Sequence, residues 1–132
     1  MPLESIAINN FEKNAIDDPL LKTRLEQLYD SSPDFDNGET AIKVFEKWFG
    51  KGAKLYVGMF NARPIAAMLV TDDGIDGQRR LQNIVVHTAN RGRGIAAKLI
   101  KQVTDLERKQ GILNFVGNDV VIQLILNRYE LG

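Results

Sequence analysis

Ile84-Val85-Val86-His87-Thr88-Ala89-Asn90-Arg91-Gly92-Arg93-Gly94-Ile95-Ala96-Ala97 reads as an apolar strand that passes through a loop with two glycines and two arginines straight into a helix. The first turn of such a helix leaves backbone N–H groups without intrahelical acceptors and carries the positive end of the helix dipole. Gly92 and Gly94 let an anion approach the backbone, and Arg91 and Arg93 add positive charge. The segment therefore predicts a phosphate or pyrophosphate cradle over Asn90 to Ala97. The plainer alternative is a tight strand-to-helix turn with solvated arginines.

Downstream, Ile95, Leu99, Val103 and Leu106 recur on one face of a helix over Gly94–Gln110, which Gly111 ends. Ile112 to Val116 is short and apolar, as a buried strand is. Asp119 can cap a last helix reaching Glu130. Upstream, Leu81 to His87 is a strand preceded by the loop Asp72–Gly77. Leu55–Phe60 and Ile65–Thr71 form an antiparallel hairpin across the turn Asn61-Ala62-Arg63-Pro64. Earlier still, Glu39–Phe49 fits a helix with Ile42, Phe45 and Phe49 on one face and Gly50 as its C′ residue. Leu21, Leu25 and Leu28 mark another helix, capped by Asp18 with Pro19 and ended by Ser31-Ser32-Pro33. Ser5–Ile8 alternates as a short strand. The order is β-α-α-β-β-β-α-β-α, an α+β domain whose mixed sheet carries helices on both faces.

The whole chain of 132 residues is the size of one domain, taken here as residues 1–132. Hydrophobic residues make up 44% and charged residues 26%, which fits a folded globular chain. Seventeen basic residues balance seventeen acidic ones, so the electrostatic footprint of a nucleic-acid binder is absent. With no cysteine, disulfides, a thiol nucleophile and thiolate metal sites are excluded, and the one histidine, His87, argues against a zinc site or a serine triad. Met1-Pro2-Leu3-Glu4 lacks the basic and apolar regions of a signal peptide, and no apolar run is long enough to span a bilayer. The expected setting is the cytoplasm, with no membrane, nucleic-acid or metal partner.

Three known cradles compete for the glycine loop. A Walker A loop needs Gly-Lys-Ser/Thr before its helix, which is absent. The dinucleotide fingerprint is matched formally by Gly92-x-Gly94-x-x-Ala97 with Asp119 further on. Against it, the loop before Gly92 is long and little chain remains for further parallel strands. The third is the coenzyme A pyrophosphate loop. Arg91-x-x-Gly94-x-Ala96, between a strand and a long helix, resembles the Arg/Gln-x-x-Gly-x-Gly/Ala motif of the Gcn5-related N-acetyltransferases (GNAT), and the flanking elements agree with that fold over most of the chain. The resemblance implies acetyl-CoA or CoA as ligand. It assigns the pyrophosphate to Asn90, Arg91, Gly92, Arg93, Gly94, Ile95, Ala96 and Ala97. The pantetheine arm falls to Ile84, Val85 and Val86, in a gap between Ile84–His87 and Ile112–Val116.

A narrower resemblance is to the acetyl-CoA-sensing maturation factors of aspartate 1-decarboxylase, the PanZ/PanM family. It rests on Leu55-Tyr56-Val57-Gly58-Met59-Phe60-Asn61-Ala62-Arg63-Pro64-Ile65-Ala66-Ala67, on Ile84-x-Val86 before the Arg-Gly-Arg-Gly loop, and on the Leu-rich first helix before Ser31-Ser32-Pro33. It implies a regulator that binds the decarboxylase proenzyme and promotes its self-cleavage, with Asn61 and Arg63 on the partner surface. Two features depart from the pattern: Met59 replaces an arginine common before Phe-Asn, and the segment 36–52 is longer.

Acetyl transfer on this fold often uses a Glu on or near the third strand as base and a Tyr in the last helix as acid. Leu81–Val86 holds no carboxylate. His87 follows that strand, but a lone exposed histidine is more often without a role. The family position of the acid, four residues before the glycine of a Leu-Gly pair, falls on Arg128; Tyr129 lies one step later, a rotation of about 100° on a helix. A one-residue deletion would restore the match, and on that condition Tyr129 is the candidate acid; the catalytic residues are otherwise unassigned. Asp72, Asp73 and Asp76 read as loop formers, and they fail as a calcium loop because Gly74 and Asn83 stand where oxygen ligands are needed. Phe45, Trp48 and Phe49 read as core; Lys98, Lys101, Arg108 and Lys109 read as a solvated face, with Lys98 near the cradle. The sequence ends before the last two strands common in this fold, which usually wall the acceptor site. The alternatives to a regulator are an N-acetyltransferase for a small amine or protein amino group, and a dinucleotide-binding fragment.

Overall fold

The computed structural model describes residues 3–11 and 20–132. In chain order the elements are β1 (Glu4–Ile8), α1 (Leu21–Tyr29), α2 (Gly38–Phe49), β2 (Lys54–Phe60), β3 (Arg63–Asp72), β4 (Gln78–Val86), a short 3-10 turn (Thr88–Asn90), α3 (Ile95–Arg108), β5 (Asn114–Gly117) and α4 (Val120–Arg128). Their order and types match the sequence reading. The expected cap at Asp18 and Pro19 lies outside the described residues.

The strands lie side by side in chain order. β1 to β4 pair antiparallel, and β5 joins β4 in parallel. A parallel neighbour cannot be reached by a tight turn, so α3 supplies the crossover. β3 is the central strand, and Pro64 to Thr71 are all buried along it. Its alternation divides the core in two. Ala67 and Leu69 join Leu55 and Val57 of β2 under α1 and α2, whose Leu25, Tyr29, Ile42 and Phe45 complete that layer. Ala66, Met68 and Val70 join Tyr56 and Leu81 under α3 and α4, which contribute Leu99, Ile100, Val103, Ile122 and Leu126. This is the mixed sheet with helices on both faces that the periodicity predicts.

α2 lies close against α1. A Cβ at Gly38 would sit 1.7 Å from the Glu26 carbonyl oxygen, so the first residue of α2 has to be glycine. Asn37 caps the helix by accepting from the Thr40 N–H at 2.8 Å. Phe45 is fully buried, whereas Trp48 and Phe49 are half-buried.

The boundaries differ in places. Gly50 stays right-handed (φ -62) because its N–H still bonds the Glu46 carbonyl, and the left-handed glycine after it is Gly52 (φ 88). The hairpin turn is Asn61-Ala62 alone, both at positive φ (50 and 61), as a two-residue connection between twisted strands requires. Arg63 and Pro64 therefore belong to β3. β4 begins three residues earlier than expected, at Gln78, and ends at Val86. His87 leaves the strand, although its N–H still donates to the Ile65 carbonyl at 2.7 Å. β5 starts at Asn114, after Leu113 and Asn114 both donate to the Gly77 carbonyl. α3 and α4 each end two residues early, at Arg108 and Arg128.

Candidate functional site

The parallel ladder is short. It runs only from Gln78↔Asn114 to Leu81↔Gly117, so β4 continues beyond its neighbour. A bulge accompanies the separation: Leu69 pairs with Gln82 and Ala67 with Val85, which leaves Asn83 and Ile84 opposite Met68. Asn83 sits at φ 56, and such bulges bend a strand and re-aim the residues beyond them. The Tyr29 hydroxyl fixes this one by donating to the Asn83 carbonyl at 2.7 Å, while Asn83 Nδ2 donates to Asp34 Oδ2 at 3.2 Å.

A cleft of about 520 Å³ opens where the strands part. Ile84, Val85 and Val86 form one side, Asn90 to Gly92 with Gly94 to Ala96 close one end, and Ser32, Pro33, Asp34, Asp119 and Val121 complete the walls. Ile112–Val116 does not face Ile84–His87, contrary to the expectation. The register sets β5 beside the start of β4, so the wall opposite its end comes from Asp119 and Val121.

At the closed end the chain takes the shape an anion needs. Gly92 (φ 77) and Gly94 (φ 73) are both left-handed, and Gly94 is the N-cap of α3. A Cβ at either would meet nothing within 4 Å, so glycine is set there by conformation and the approach to the backbone stays open. The first main-chain bond into α3 from the loop is Lys98 N–H to the Gly94 carbonyl at 3.1 Å. The N–H groups from Gly92 to Ala97 thus have no acceptor among the described residues. The first turn of α3 holds no acidic residue, so nothing opposes its dipole. Arg91 turns back: Nε donates to the Val86 carbonyl at 3.1 Å and Nη2 to Ser31 Oγ at 3.2 Å. Arg93 is exposed, and Arg93 and Ala97 lie beside the cleft without lining it.

Other singled-out residues lie apart. Asn61 and Arg63 are exposed at the hairpin tip. His87 Nδ1 accepts from the Ala89 N–H at 3.1 Å. Tyr129 does not line the cleft; its ring lies 3.8 Å beneath Lys101 Nζ, and it is 40% exposed. Lys101 and Arg108 are thus not simply solvated, since the Arg108 guanidinium packs 5.2 Å from the Phe115 ring and donates to the Leu131 carbonyl. Asp73 pairs with Arg80 at 2.8 Å, Asp72 Oδ1 accepts from the Gly74 N–H at 2.9 Å, and no metal-ligating cluster occurs among the described residues. Asp119 Oδ1 is occupied by the Ile122 N–H at 2.9 Å. With four strands antiparallel, the dinucleotide fold is excluded.

Two groups of residues were not legible as a set. Ser32, Pro33 and Asp34 reach the cleft from the loop after α1, and locally they read only as the end of that helix. At the opposite end of α3, Glu107 is 1% exposed and accepts from Tyr56 Oη at 2.7 Å and from Lys54 Nζ at 2.8 Å, with Arg79 Nε 3.9 Å away. Burial, then the hydrogen bond to Glu107 and its charge, push the Tyr56 phenol well above the ordinary range.

No described helix is long and apolar enough to cross a membrane. No curated protein matches the sequence. Among solved structures, a ribosomal-protein-alanine N-acetyltransferase from Brucella melitensis superposes with a TM-score of 0.66 at 16% identity, over 98% of this chain and 89% of that one. A GNAT family acetyltransferase from Staphylococcus aureus gives 0.68 at 17% identity, over 90% and 87%. A predicted acetyltransferase from Clostridium acetobutylicum, solved with acetyl-CoA, gives 0.60 at 15% identity, over 97% and 88%. These likenesses establish the GNAT fold. The family model of the PanZ acetyltransferase (GNAT) domain matches residues 14–120, most of the length, and the chain belongs to that family.

Proposed function

We propose that this chain is an acetyl-CoA-binding regulator that promotes the self-cleavage of aspartate 1-decarboxylase, and so links pantothenate and coenzyme A synthesis to acetyl-CoA supply in the cytoplasm. In this reading residues 1–132 act as one domain. The observation that carries the ligand assignment is the continuity of the cleft with the cradle: a β4 edge without a strand partner beyond Leu81 leads to the free N–H groups of Gly92–Ala97. The cleft residues suit the ligand's parts. The N–H groups and the α3 dipole suit a pyrophosphate, and the backbone of Ile84–Val86 suits an amide-bearing arm. Asn61 and Arg63, displayed at the tip of a two-residue turn, suit a protein surface. The partner assignment rests on family membership and on these two residues.

The test is cleavage of purified decarboxylase proenzyme, followed by intact mass, with this protein and with or without acetyl-CoA. Acceleration only with both supports the regulator. A second reading, an N-acetyltransferase, draws support from Asp34, a carboxylate in the cleft wall beside the bulged Asn83. It predicts release of free thiol from acetyl-CoA when an amine acceptor is added, whereas the regulator binds acetyl-CoA and leaves it intact.

A further inference from the structure

A second cavity, of about 170 Å³, lies between α1 and the β2–β3 hairpin and is lined by Arg24, Gln27, Leu28, Arg63, Pro64 and His87. The Arg63 guanidinium and the His87 imidazole border it, and among the described residues no carboxylate does; Arg24, on its α1 side, has an interaction partner of its own. Arg63 has no hydrogen-bond or ion-pair partner among the described residues. By contrast, Arg79 and Arg80 face carboxylates, and Arg91 and Arg108 are held by carbonyls. His87 Nδ1 already accepts from Ala89, so the neutral ring carries its proton on Nε2 and keeps that donor free. Leu28 and Pro64 are buried and make an apolar floor, where a charge-assisted hydrogen bond is stronger than in open water. The volume suits one side chain and is too small for a coenzyme.

We propose that this pocket recognises a carboxylate presented by a protein partner, with Arg63 supplying a two-pronged donor and His87 Nε2 a third. The chemistry is shared by an Asp or Glu side chain and by a free chain terminus. The pocket has a structural tie to the cleft. α1 lines it with Arg24, Gln27 and Leu28, and the loop after α1 lines the cleft with Ser32 to Asp34. His87 directly follows Val86 of the cleft wall. Only the partner's identity rests on the function proposed above; the carboxylate chemistry rests on these side chains.

The test titrates three short peptides into isotope-labelled protein and follows the Arg63 Nε–H and His87 imidazole signals by NMR. One peptide has a free C-terminus and no acidic residue, one is amidated with a central Glu, and one is amidated with Gln in its place. Saturable shifts with either of the first two and not the third are expected, and the stronger of the two identifies the source. The same response to the Gln peptide, no response to any peptide, or a full response in Arg63→Gln and His87→Gln variants shown folded by thermal melts overturns the pocket. In parallel, Arg63→Gln is expected to weaken capture of the decarboxylase proenzyme in the presence of acetyl-CoA by about tenfold or more. If the wild-type protein fails to capture the proenzyme, the proposed function falls while the peptide titration still decides the pocket.

Discussion

The phenol of Tyr29, fully buried on α1, donates a 2.7 Å hydrogen bond to the main-chain carbonyl of Asn83 in the bulge of β4. One side chain thereby ties the helix layer to the point where the sheet opens. Tyr29→Phe removes the donor and leaves that carbonyl unsatisfied, at a cost of about 2 kcal/mol. Urea denaturation is the check, and a loss within error of zero would show that the bond contributes nothing net.

Alkaline pH should destabilise the fold through two phenols. Burial and then the charge of Asp34 raise the Tyr29 pKa, and burial and Glu107 raise that of Tyr56. The native state holds protons that the unfolded chain gives up near pH 10, so unfolding releases protons in that range. The stabilising contribution is complete below about pH 10 and declines above it, by up to about 1.4 kcal/mol per pH unit for each phenol. Denaturation curves at stepped pH measure the slope, and Tyr56→Phe should make it shallower.

Gly94→Ala introduces a Cβ that meets no atom but forces a left-handed conformation at φ 73. The cost is conformational, about 1 kcal/mol. Combined with Arg91→Ala, it should weaken acetyl-CoA binding by more than about tenfold while the melting curve stays cooperative. Calorimetric titration gives the answer, and unchanged affinity would refute the cradle.

Glu107 anchors the far end of the same helix. Glu107→Ala strands the Tyr56 hydroxyl and leaves the Lys54 ammonium only Gln110 Oε1, and should cost about 2 kcal/mol. Lys54→Met should cost less, because the Glu107 carboxylate keeps the Tyr56 donor. A Tyr56→Phe/Glu107→Gln double-mutant cycle should show a coupling of about 1 kcal/mol or more.

What the sequence made legible was local. Gly92 and Gly94 mark the turn into α3 because left-handed backbone selects glycine, and the strand–loop–helix around them needs no distant partner. Leu55–Phe60 and Ile65–Thr71 declare a hairpin by their composition, although the turn is tighter than its proline suggested because Asn61 and Ala62 both accept positive φ. What stayed hidden comes from far along the chain. Asp34 belongs to the cleft only because Tyr29 and Asn83 bring its loop to β4. Glu107 looks like any helical glutamate until Lys54, Tyr56 and Arg79, from two other strands, close around it. Tyr129 lies outside the cleft, just past the end of α4 and under Lys101.

β4 is nine residues long and β5 only four, with the ladder stopping at Leu81. The main chain of Ile84–Val86 is left with hydrogen-bonding capacity that no strand of the described chain absorbs. A bound molecule with amides of its own would act as the absent neighbour, so that ligand concentration enters the folding equilibrium directly. Amide hydrogens along Ile84–Val86 should then exchange with solvent more slowly as acetyl-CoA accumulates. How often this edge opens would then depend on how much ligand is present.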